Sequence, residues 1–356
     1  MTGTLETDVL VVGLGPAGAC AAEEAAGRGC SVIALERKTD PGTPVQCAEF
    51  VPATMGIEID ALSESTEQPI DAMVTFVEDE PGDTLERFPG LMIDRQAFDR
   101  GLVAKASEAG AACWLGTAVK AIDGDGKVAL SDGRSIVPRV VIGADGPKSL
   151  IGKAIGRINR EVVETRQITV ALLKPHRATD IFLSVDYPGG YAWLFPKGKF
   201  ANLGIGTNPD AKHLLKPLLD ELHQALAAEG RVGRDIEHHT GGLIPVGGML
   251  RPVGRLGNVA VFLAGDAAGL ANPVTGAGIN AAILSGRQAG QYACDLLDGD
   301  ETAQADYVEE LEDLFKPSLD RALRRRAELL ARSKTGAPGP HDLRRNWIAY
   351  PEYWAA

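Results

Sequence analysis

The chain has 356 residues, a formal net charge of −12 from 48 Asp and Glu against 36 Lys and Arg, and an apolar fraction of 45%. These values are typical of a globular protein and exclude a disordered or fibrous one. The acidic balance also argues against nucleic acid as a partner, because phosphate binding requires a basic surface.

The sequence lacks three patterns: a membrane span, a secretory signal and the spacing of metal ligands. No apolar run approaches the roughly 20 residues that span a bilayer. Glu6 and Asp8 precede a first apolar run that is too short for a secretory signal. The five cysteines form no CxxC pair, and neither they nor the six histidines follow metal-ligand spacing. We therefore expect a cytoplasmic protein with reduced thiols and no metal site.

The N-terminal region predicts a β-α-β unit. A strand from Asp8 to Val12 is followed by a glycine turn, an alanine-rich helix from about Pro16 to Gly27, and a strand from Ser31 to Leu35. Parallel strands joined by a helix indicate a sheet that is buried on both faces.

Shorter elements follow. We interpret Cys47 to Met55 as a short helix or loop, and we expect strands at 71–78 and 84–88, a helix at 95–109, hairpin strands over 111–142, antiparallel strands over 161–208, a leucine-rich helix over 214–226, a strand at 259–264 and a helix at 278–297. The α/β patterns therefore lie at both ends of the chain, with a β region between them.

This order of elements predicts a nucleotide-binding domain that a second domain interrupts. The first comprises residues 1–155 and 250–297, and the second, an antiparallel-sheet substrate domain, comprises 156–249. Residues 68–90 could join the second domain. Residues 298–356 form a C-terminal helical segment and tail.

A glycine motif, Gly13-Leu14-Gly15-Pro16-Ala17-Gly18, lies between the first strand and its helix. Gly13 permits a tight turn, Gly15 lets the backbone approach a pyrophosphate, and Gly18 lets the helix pack closely on the strand. Glu36 ends the next strand, where an acid can accept hydrogen bonds from an adenosine ribose. The motif in this context predicts dinucleotide binding.

Two later strands each end in an aspartate motif, Ala144-Asp145-Gly146-Pro147 and Gly265-Asp266. By itself, an Asp after a strand is a helix cap or a turn residue. The ordered trio of motifs, however, resembles the p-hydroxybenzoate-hydroxylase-like FAD proteins. That resemblance implies FAD as the cofactor, with Asp266 on its ribityl chain and Gly276, Gly278 and Ile279 beside the flavin ring.

Three further strings narrow the resemblance: Pro44-Val45-Gln46-Cys47-Ala48-Glu49, Tyr191-Ala192-Trp193-Leu194-Phe195-Pro196-Lys197-Gly198, and the segment 272–280. From residue 5 to about 297 the chain is similar to the geranylgeranyl reductase family, most closely the archaeal digeranylgeranylglycerophospholipid reductase type. Phe50 and Ala277 stand where that family often has glycine. Phe50 could reshape the pocket wall beside the flavin.

The resemblance implies a mixed α/β (α+β) fold, in which a Rossmann-like FAD-binding domain is interrupted by an antiparallel-sheet substrate domain and followed by C-terminal helices. It also implies an FAD-dependent reductase that saturates isolated double bonds of prenyl chains on a lipid, with hydride from reduced flavin. The residues expected to bind FAD are Gly13, Gly15, Pro16, Ala17, Gly18, Glu36, Arg37, Cys47, Ala48, Arg95, Ala118, Val119, Asp145, Gly146, Gly265, Asp266, Gly276, Gly278 and Ile279.

Several of these roles have plainer alternatives. Cys47 is a candidate proton donor or gate, but most free cysteines are small buried apolar residues. Arg95 suits a pyrophosphate, whereas Arg37 is equally explained as a solvated side chain. Spacing alone favours Tyr191, Trp193 and Phe195 as sheet core, whereas the family string favours them as the wall of a prenyl channel.

The C-terminal charge is uneven. Residues 294–313 contain nine acids and no Lys or Arg, whereas residues 315–345 contain nine Lys or Arg and three acids. A basic amphipathic helix can bind an anionic membrane surface, although it can equally be a solvated face packed on an acidic neighbour. We expect peripheral membrane contact through 315–354, with Trp347, Tyr350, Tyr353 and Trp354 at a lipid interface.

Two other functions stay open. One is a flavin monooxygenase or halogenase of the same fold, which would activate oxygen. The other is a lipid-binding or electron-relay flavoprotein without alkene chemistry. With a single nucleotide motif in the sequence, the electron donor is expected to be a loosely bound NAD(P)H or a ferredoxin-like carrier.

Overall fold

The structure, a computed structural model, describes residues 3–53, 60–336 and 338–355. Its strands are β1 (Thr4–Val12), β2 (Val32–Leu35), β3 (Phe50–Pro52), β4 (Thr66–Ile70), β5 (Ala72–Val77), β6 (Asp83–Leu85), β7 (Gly90–Ile93), β8 (Ala112–Trp114), β9 (Val119–Ile122), β10 (Val128–Leu130), β11 (Ser135–Gly143), β12 (Val162–Leu172), β13 (Ala178–Leu183), β14 (Ala192–Lys197), β15 (Phe200–Thr207), β16 (Val232–Thr240), β17 (Leu243–Pro245), β18 (Val253–Leu256) and β19 (Val259–Leu263). Its helices are α1 (Pro16–Gly27), α2 (Asp60–Glu64), α3 (Arg95–Glu108), α4 (Leu150–Ala154), α5 (Leu215–Ala228), α6 (Ile279–Leu297), α7 (Ala303–Thr335), α8 (Pro340–Arg345) and α9 (Pro351–Trp354).

The first sheet, here called the parallel sheet, has the order β18-β19-β11-β1-β2-β8. Strand β1 pairs in parallel with β2 and β11, and β11 pairs in parallel with β19, while the hairpin β9-β10 extends from β11. All residues of β2 and β19 are buried, as expected for strands covered on both faces. The predicted mixed α/β fold is therefore confirmed.

The second sheet, here called the middle sheet, has the order β16-β12-β15-β14-β13-β5-β6, with β17 paired to β12. Strands β12 to β15 pair antiparallel, as predicted. Strand β5 lies within the segment 68–90, which could join the second domain, and it joins the middle sheet by parallel pairing to β13. The domain boundaries proposed from the sequence stay a prediction.

Strand β15 separates two environments within the middle sheet. Its Ala201, Leu203 and Ile205 share a buried apolar cluster with Leu215 and Leu219 of α5. Because side chains alternate along a strand, the intervening even-numbered positions project from the opposite face. That opposite face borders the cavity described below.

A three-stranded sheet, β3-β7-β4, lies beside these two. The interpretation of Cys47 to Met55 as a helix or loop is wrong for its central part, because Phe50–Pro52 forms strand β3 and pairs with β7. The Phe50 ring packs against the rings of Phe88 and Phe195, which favours the extended conformation. Residues 54–55 of that interpretation lie outside the described residues.

The C-terminal segment packs against the middle sheet. The predicted lipid-interface position is wrong for Trp347, Tyr350 and Tyr353, which are 2%, 9% and 2% exposed and belong to the same apolar cluster as Trp193. Trp354, in contrast, is 56% exposed. The sequence could not distinguish burial from lipid contact, because a Trp or Tyr ring with its single polar group suits both environments. No helix in the described ranges is long and apolar enough to cross a membrane.

Candidate functional site

A large cavity lies between the parallel sheet, the middle sheet and the C-terminal segment. It receives many of the residues that the sequence nominated, although they are separated by up to 264 positions along the chain. The nominated residues that line it are Gly15, Pro16, Ala17, Cys47, Ala48, Arg95, Gly146, Tyr191, Trp193, Phe195, Asp266, Gly276, Gly278 and Ile279.

The glycine motif forms one edge of the cavity. Gly13 has φ +94°, and a Cβ on Gly18 would lie 1.7 Å from the Gly13 carbonyl oxygen, so both positions require glycine. A Cβ on Gly15 would meet no protein atom within 4 Å. Gly15 is also the N-cap of α1 and makes no side-chain cap. The start of α1 therefore presents free N–H groups to an open space, which is the arrangement that binds phosphate.

The other nominated residues lie away from the cavity wall. They are Gly13, Gly18, Glu36, Arg37, Ala118, Val119, Asp145 and Gly265. Glu36 accepts hydrogen bonds from the backbone N–H of Leu14 (3.0 Å) and Lys38 (2.9 Å). Its carboxylate therefore stabilises the glycine turn, and Arg37 beside it is exposed.

The Asp145 side chain is occupied by hydrogen bonds within the protein, and its expected role in binding FAD stays a prediction. Its carboxylate accepts hydrogen bonds from the Ser149 hydroxyl and from the backbone N–H of Leu150 (2.7 Å) and Ile151 (3.3 Å) at the start of α4. Burial raises the pKa of Asp145 despite these hydrogen bonds. The side chain thus caps a helix, while the neighbouring Gly146 borders the cavity.

Asp266 lines the cavity and has an unpartnered carboxylate within the described part of the chain. No hydrogen bond from the described residues reaches its carboxylate, and burial raises its pKa to about 6 although Arg95 opposes the shift. A Cβ on Gly278 would lie 3.3 Å from Asp266 Oδ1, and Gly278 begins α6 without a side-chain cap. A buried carboxylate beside a free helix start fits a ligand that carries hydroxyl donors near an acceptor group.

Cys47 and Arg95 meet at the cavity wall. The Cys47 Sγ accepts a hydrogen bond from the Glu49 backbone N–H at 3.2 Å, and the Arg95 guanidinium lies close enough to interact with it electrostatically. Arg95 is held by Asp99, with Nε–Oδ1 3.0 Å and Nη2–Oδ2 2.9 Å. Burial acts to lower the pKa of Arg95, but the contacts with Asp99 and Cys47 outweigh it and raise the pKa. Arg95 thus lies beside Cys47 at the cavity wall, and its expected contact with a pyrophosphate stays a prediction.

Glu49 holds the loop that carries Cys47 in place through hydrogen bonds to its carboxylate. This non-glycine residue has φ +68° and is 5% exposed. Its carboxylate accepts from Lys197 Nζ (2.9 Å), the Arg95 backbone N–H (3.0 Å) and Asn202 Nδ2 (2.9 Å). Three donors therefore hold a backbone conformation that L-residues rarely adopt.

Gln167 of the middle sheet also holds the loop that carries Cys47, through a hydrogen bond. Gln167 Nε2 donates to the Cys47 carbonyl at 3.1 Å, and Gln167 Oε1 accepts from Trp193 Nε1 at 3.0 Å. Sequence reasoning missed Gln167 and Asn202. Asn202 offered a signal, as an amide in the largely apolar strand β15, because a buried amide needs a specific partner. Gln167 offered none, since it lies beside Thr165 and Arg166 in a strand of mixed polarity.

Aromatic rings form the wall opposite the glycine motif. The ring centroids of Tyr191 and Trp193 are 5.7 Å apart, and those of Phe50 and Phe195 are 5.6 Å apart. The Tyr191 hydroxyl donates to the Thr275 carbonyl at 2.6 Å, and burial raises its pKa. The wall is therefore apolar, with its polar atoms already paired.

The C-terminal segment completes this wall, which the sequence did not predict. The rings of Trp347 and Tyr191 are 4.8 Å apart, and Ile348 and Arg326 also line the cavity. Trp347 was recognisable as an aromatic residue of the tail, but its position depends on how α7 and α8 fold back over the sheet.

Two family models and several known proteins match this chain. A family model described as an FAD binding domain matches residues 6–178, and one described as a geranylgeranyl reductase catalytic domain matches residues 162–243. Digeranylgeranylglycerophospholipid reductase 1 from Methanopyrus kandleri is 36% identical, and the match covers 88% of this chain and 88% of that protein.

Solved structures extend the similarity. A geranylgeranyl bacteriochlorophyll reductase-like protein from Thermoplasma acidophilum has a TM-score of 0.82 at 25% identity and covers 99% of this chain and 98% of its own. A probable FAD-dependent monooxygenase from Pseudomonas aeruginosa has a TM-score of 0.71 at 19% identity, covering 95% of this chain and 98% of its own. The latter shares the fold alone.

Proposed function

This chain belongs to the geranylgeranyl reductase family, and we propose that it saturates isolated double bonds in the geranylgeranyl chains of a glycerophospholipid. It is an FAD-dependent oxidoreductase. The observation that carries the substrate assignment is the apolar, aromatic wall that shares one cavity with the glycine motif and Asp266.

The FAD site is proposed on polar groups that have no hydrogen-bond partner among the described residues. The free N–H groups at the start of α1, beside Gly15, suit the pyrophosphate, because a helix start favours an anion. Asp266 suits hydroxyl donors of the ribityl chain, and the start of α6 beside Gly278 suits a polar edge of the ring. Gly13, Gly18, Glu36 and Asp145 support this site through turn and cap geometry.

Reduction of an isolated alkene adds a hydride to one carbon and a proton to the other, and FAD supplies the hydride when it is bound in its reduced form. We assign the proton to Cys47 Sγ, which lines the cavity. The Glu49 backbone N–H donates a hydrogen bond to that sulfur at 3.2 Å, which holds the thiol in place at the cavity wall. The thiolate then takes a proton from solvent.

The aromatic wall contributes by excluding water and orienting the chain. Tyr191, Trp193, Phe195 and Phe50 offer ring faces to an unsaturated hydrocarbon, which gains binding energy from apolar burial. Because Tyr191 already donates to a carbonyl, its hydroxyl does not attract water into the channel.

Anaerobic turnover tests this function. Dithionite-reduced holoprotein is expected to add two hydrogens per double bond to digeranylgeranylglycerophospholipid, detected by mass spectrometry. A flavin monooxygenase or halogenase of the same fold would leave the lipid unchanged without oxygen and consume oxygen when it is supplied. A lipid-binding or electron-relay protein would bind the lipid and leave it unsaturated in both conditions.

The electron donor and the membrane contact are finer parts of this proposal. NAD(P)H and a reduced ferredoxin-like carrier should be compared as donors, by the rate of flavin bleaching without oxygen. Exposed basic residues of α7, including Arg324 and Lys334, together with the exposed Trp354, support binding to an anionic membrane surface. Co-sedimentation with phosphatidylglycerol vesicles, but not with phosphatidylcholine vesicles, is the expected result.

A further inference from the structure

Arg326 is a buried cation on the cavity wall for which the described residues provide no carboxylate. Its side chain is 8% exposed. Its Nη1 donates to the Gly189 carbonyl, its Nη2 donates to Asn208 Oδ1 at 2.6 Å, and its buried Nε has no acceptor. Both acceptors are neutral. Burial therefore lowers the pKa of Arg326, and the nearest opposing charge, on the exposed Glu161, offsets this only in part.

The other charged residues of the cavity wall differ from Arg326. Glu49 is paired with Lys197, and Arg95 is paired with Asp99. Asp266 faces the region proposed for FAD. Only Arg326 among these described wall residues carries a buried positive charge that no acid and no proposed cofactor group accounts for.

The neighbours of Arg326 on α7 are balanced in the usual way. Arg325 pairs with Glu328 and donates to the Tyr353 carbonyl at 2.9 Å, whereas Arg324 is exposed to solvent. Burial of a guanidinium without an ion pair costs free energy, because the group loses its hydration and gains no opposite charge in exchange. Its retention at the wall of a ligand cavity is explained if the ligand itself brings the anion.

We propose that Arg326 binds the phosphate of the substrate headgroup, in the corner of the cavity formed with Gly189 and Asn208. This inference rests on the proposed function and adds the part of the substrate that it recognises. A guanidinium has five N–H donors, of which two make the hydrogen bonds described above. Nε is buried, so the donors left for a ligand are the second N–H groups of Nη1 and Nη2. Such a pair matches two oxygens of a phosphate, which Arg binds in a bidentate manner.

Recognition at this corner would give the enzyme a polar anchor at a fixed position on an otherwise apolar wall. Apolar contacts alone allow a prenyl chain to slide, because each methylene is much like the next. One charge-assisted contact fixes the register of the chain, and with it the double bonds that reach the reaction site. Arg326 is thus a specificity-determining residue, while the reaction chemistry belongs to other side chains.

A purely structural role for Arg326 predicts a different outcome. Its bonds to Gly189 and Asn208 stabilise the turn before β14, where a Cβ on Gly189 would lie 2.2 Å from Asn208 Oδ1. If holding this turn were the whole role, loss of the guanidinium would weaken binding of every prenyl lipid equally. The ratio of affinities for charged and neutral lipids therefore separates the two roles.

The test compares two lipids with identical chains, digeranylgeranylglycerol phosphate and neutral digeranylgeranylglycerol, in the same neutral detergent. Their dissociation constants are measured on oxidised holoprotein from the change in flavin fluorescence, and anaerobic turnover is measured separately. Wild type is expected to bind the phosphate lipid about tenfold or more tightly than the neutral lipid. In Arg326→Gln that preference should fall to near unity, whereas Arg326→Lys should retain part of it.

Arg234→Gln is the matched control, because it removes the same charge at an exposed position on β16, away from the cavity wall and from α7, and it should keep the wild-type preference. The FAD content and thermal unfolding of every variant show whether the fold is intact. Equal affinity of wild type for both lipids would overturn the proposal, and so would an unchanged preference in Arg326→Gln. If Arg326→Gln fails to fold, the proposal is tested by Arg326→Lys, in which an undiminished preference would overturn it, and by the wild-type comparison.

A further arm identifies the source of the phosphate. Inorganic phosphate added to wild type should compete with the phosphate lipid and leave neutral-lipid affinity unchanged. If inorganic phosphate instead promotes neutral-lipid binding, the anion is a separate ion and the headgroup assignment is wrong. Absence of hydrogenation of either lipid, with the phosphate preference intact, would reject the proposed reaction and retain the anion site.

Discussion

Lys197 Nζ lies 2.9 Å from Glu49 Oε1, and this ion pair joins the end of β14 in the middle sheet to the loop that carries Cys47. Glu49 is 6% exposed at its side chain and Lys197 is 20% exposed, so solvent screens the pair weakly. The lysine of the Phe-Pro-Lys-Gly string therefore acts at the loop next to the cavity.

Removal of one partner of this ion pair should destabilise the protein more than removal of both partners. Lys197→Met leaves Glu49 buried with a reduced set of donors, so we expect a loss of about 2–4 kcal/mol in the free energy of unfolding. The double variant Glu49→Gln/Lys197→Met should recover part of that loss, because no buried charge remains. Denaturant unfolding of both single variants and the double variant measures the coupling. Additive losses would argue against a direct pair.

The two glycines of the motif should respond in opposite ways to the same substitution. Gly18→Ala forces a Cβ to within 1.7 Å of the Gly13 carbonyl oxygen, so the fold itself should be strongly destabilised. Gly15→Ala meets no protein atom within 4 Å and should leave the FAD-free protein near wild-type stability while FAD affinity falls sharply. Thermal unfolding of FAD-free protein and FAD titration check this pair. Normal FAD affinity in Gly15→Ala would contradict the assigned approach of the pyrophosphate.

Asp266 should make the FAD-free protein less stable as the pH rises from about 4 to 6. Burial raises its folded pKa from 3.8 to about 6, so the folded state keeps a proton that the unfolded chain has already lost in this window. By linkage, the free energy of unfolding falls as pH rises through the window and stays lower above it.

Asp266→Asn removes this titration. At pH 7 the FAD-free variant should exceed wild type in stability by about 1–2 kcal/mol, since part of the desolvation cost is relieved by water in the cavity. Its FAD affinity should fall about tenfold, because a charged acceptor is lost. Unfolding at pH 4, 5, 6 and 7 measures the difference between variant and wild type. A difference that does not change with pH would mean that another group is responsible.

Removal of the Cys47 thiol should reduce chemistry and leave cofactor binding intact. Cys47→Ala is expected to lower anaerobic turnover by roughly a hundredfold or more, the usual effect of losing a general acid. FAD content and lipid affinity should stay near wild type. Cys113→Ser, at a thiol in β8 away from the cavity wall, is the matched control. Retained turnover in Cys47→Ala and Cys47→Ser would exclude an essential role for this thiol.

The two tryptophans of the C-terminal segment should differ in their effect on stability. Trp347→Ala empties a site that is 2% exposed and packs on Tyr191, so a loss of about 3–5 kcal/mol is expected, together with weaker lipid binding. Trp354 is 56% exposed and contacts Arg321, so Trp354→Ala should cost under about 1 kcal/mol. Denaturant unfolding and lipid titration compare them. Similar losses in both variants would contradict the buried position of Trp347 in solution.

The sequence determined much of this protein by itself. The strand, glycine turn and helix at its N-terminus follow from local spacing, whereas the FAD cofactor and the family follow from the resemblance of its motifs to those of known proteins. A turn that needs Gly13, or a helix that must approach at Gly18, leaves the same short pattern in any chain. The Tyr-x-Trp-x-Phe-Pro-Lys-Gly string likewise requires only one strand to place its alternate residues on one face.

Tertiary structure decided the relationships between distant residues. Glu49 meets Lys197, Trp347 meets Tyr191, and Asp145 caps a helix instead of facing the cavity. The basic C-terminal segment is divided between exposed residues and a buried Arg326 at the wall of the cavity. Composition and periodicity specify that an arginine or a tryptophan is amphipathic. They do not specify its neighbour, because the burial and charge of a side chain depend on which parts of the chain fold against it.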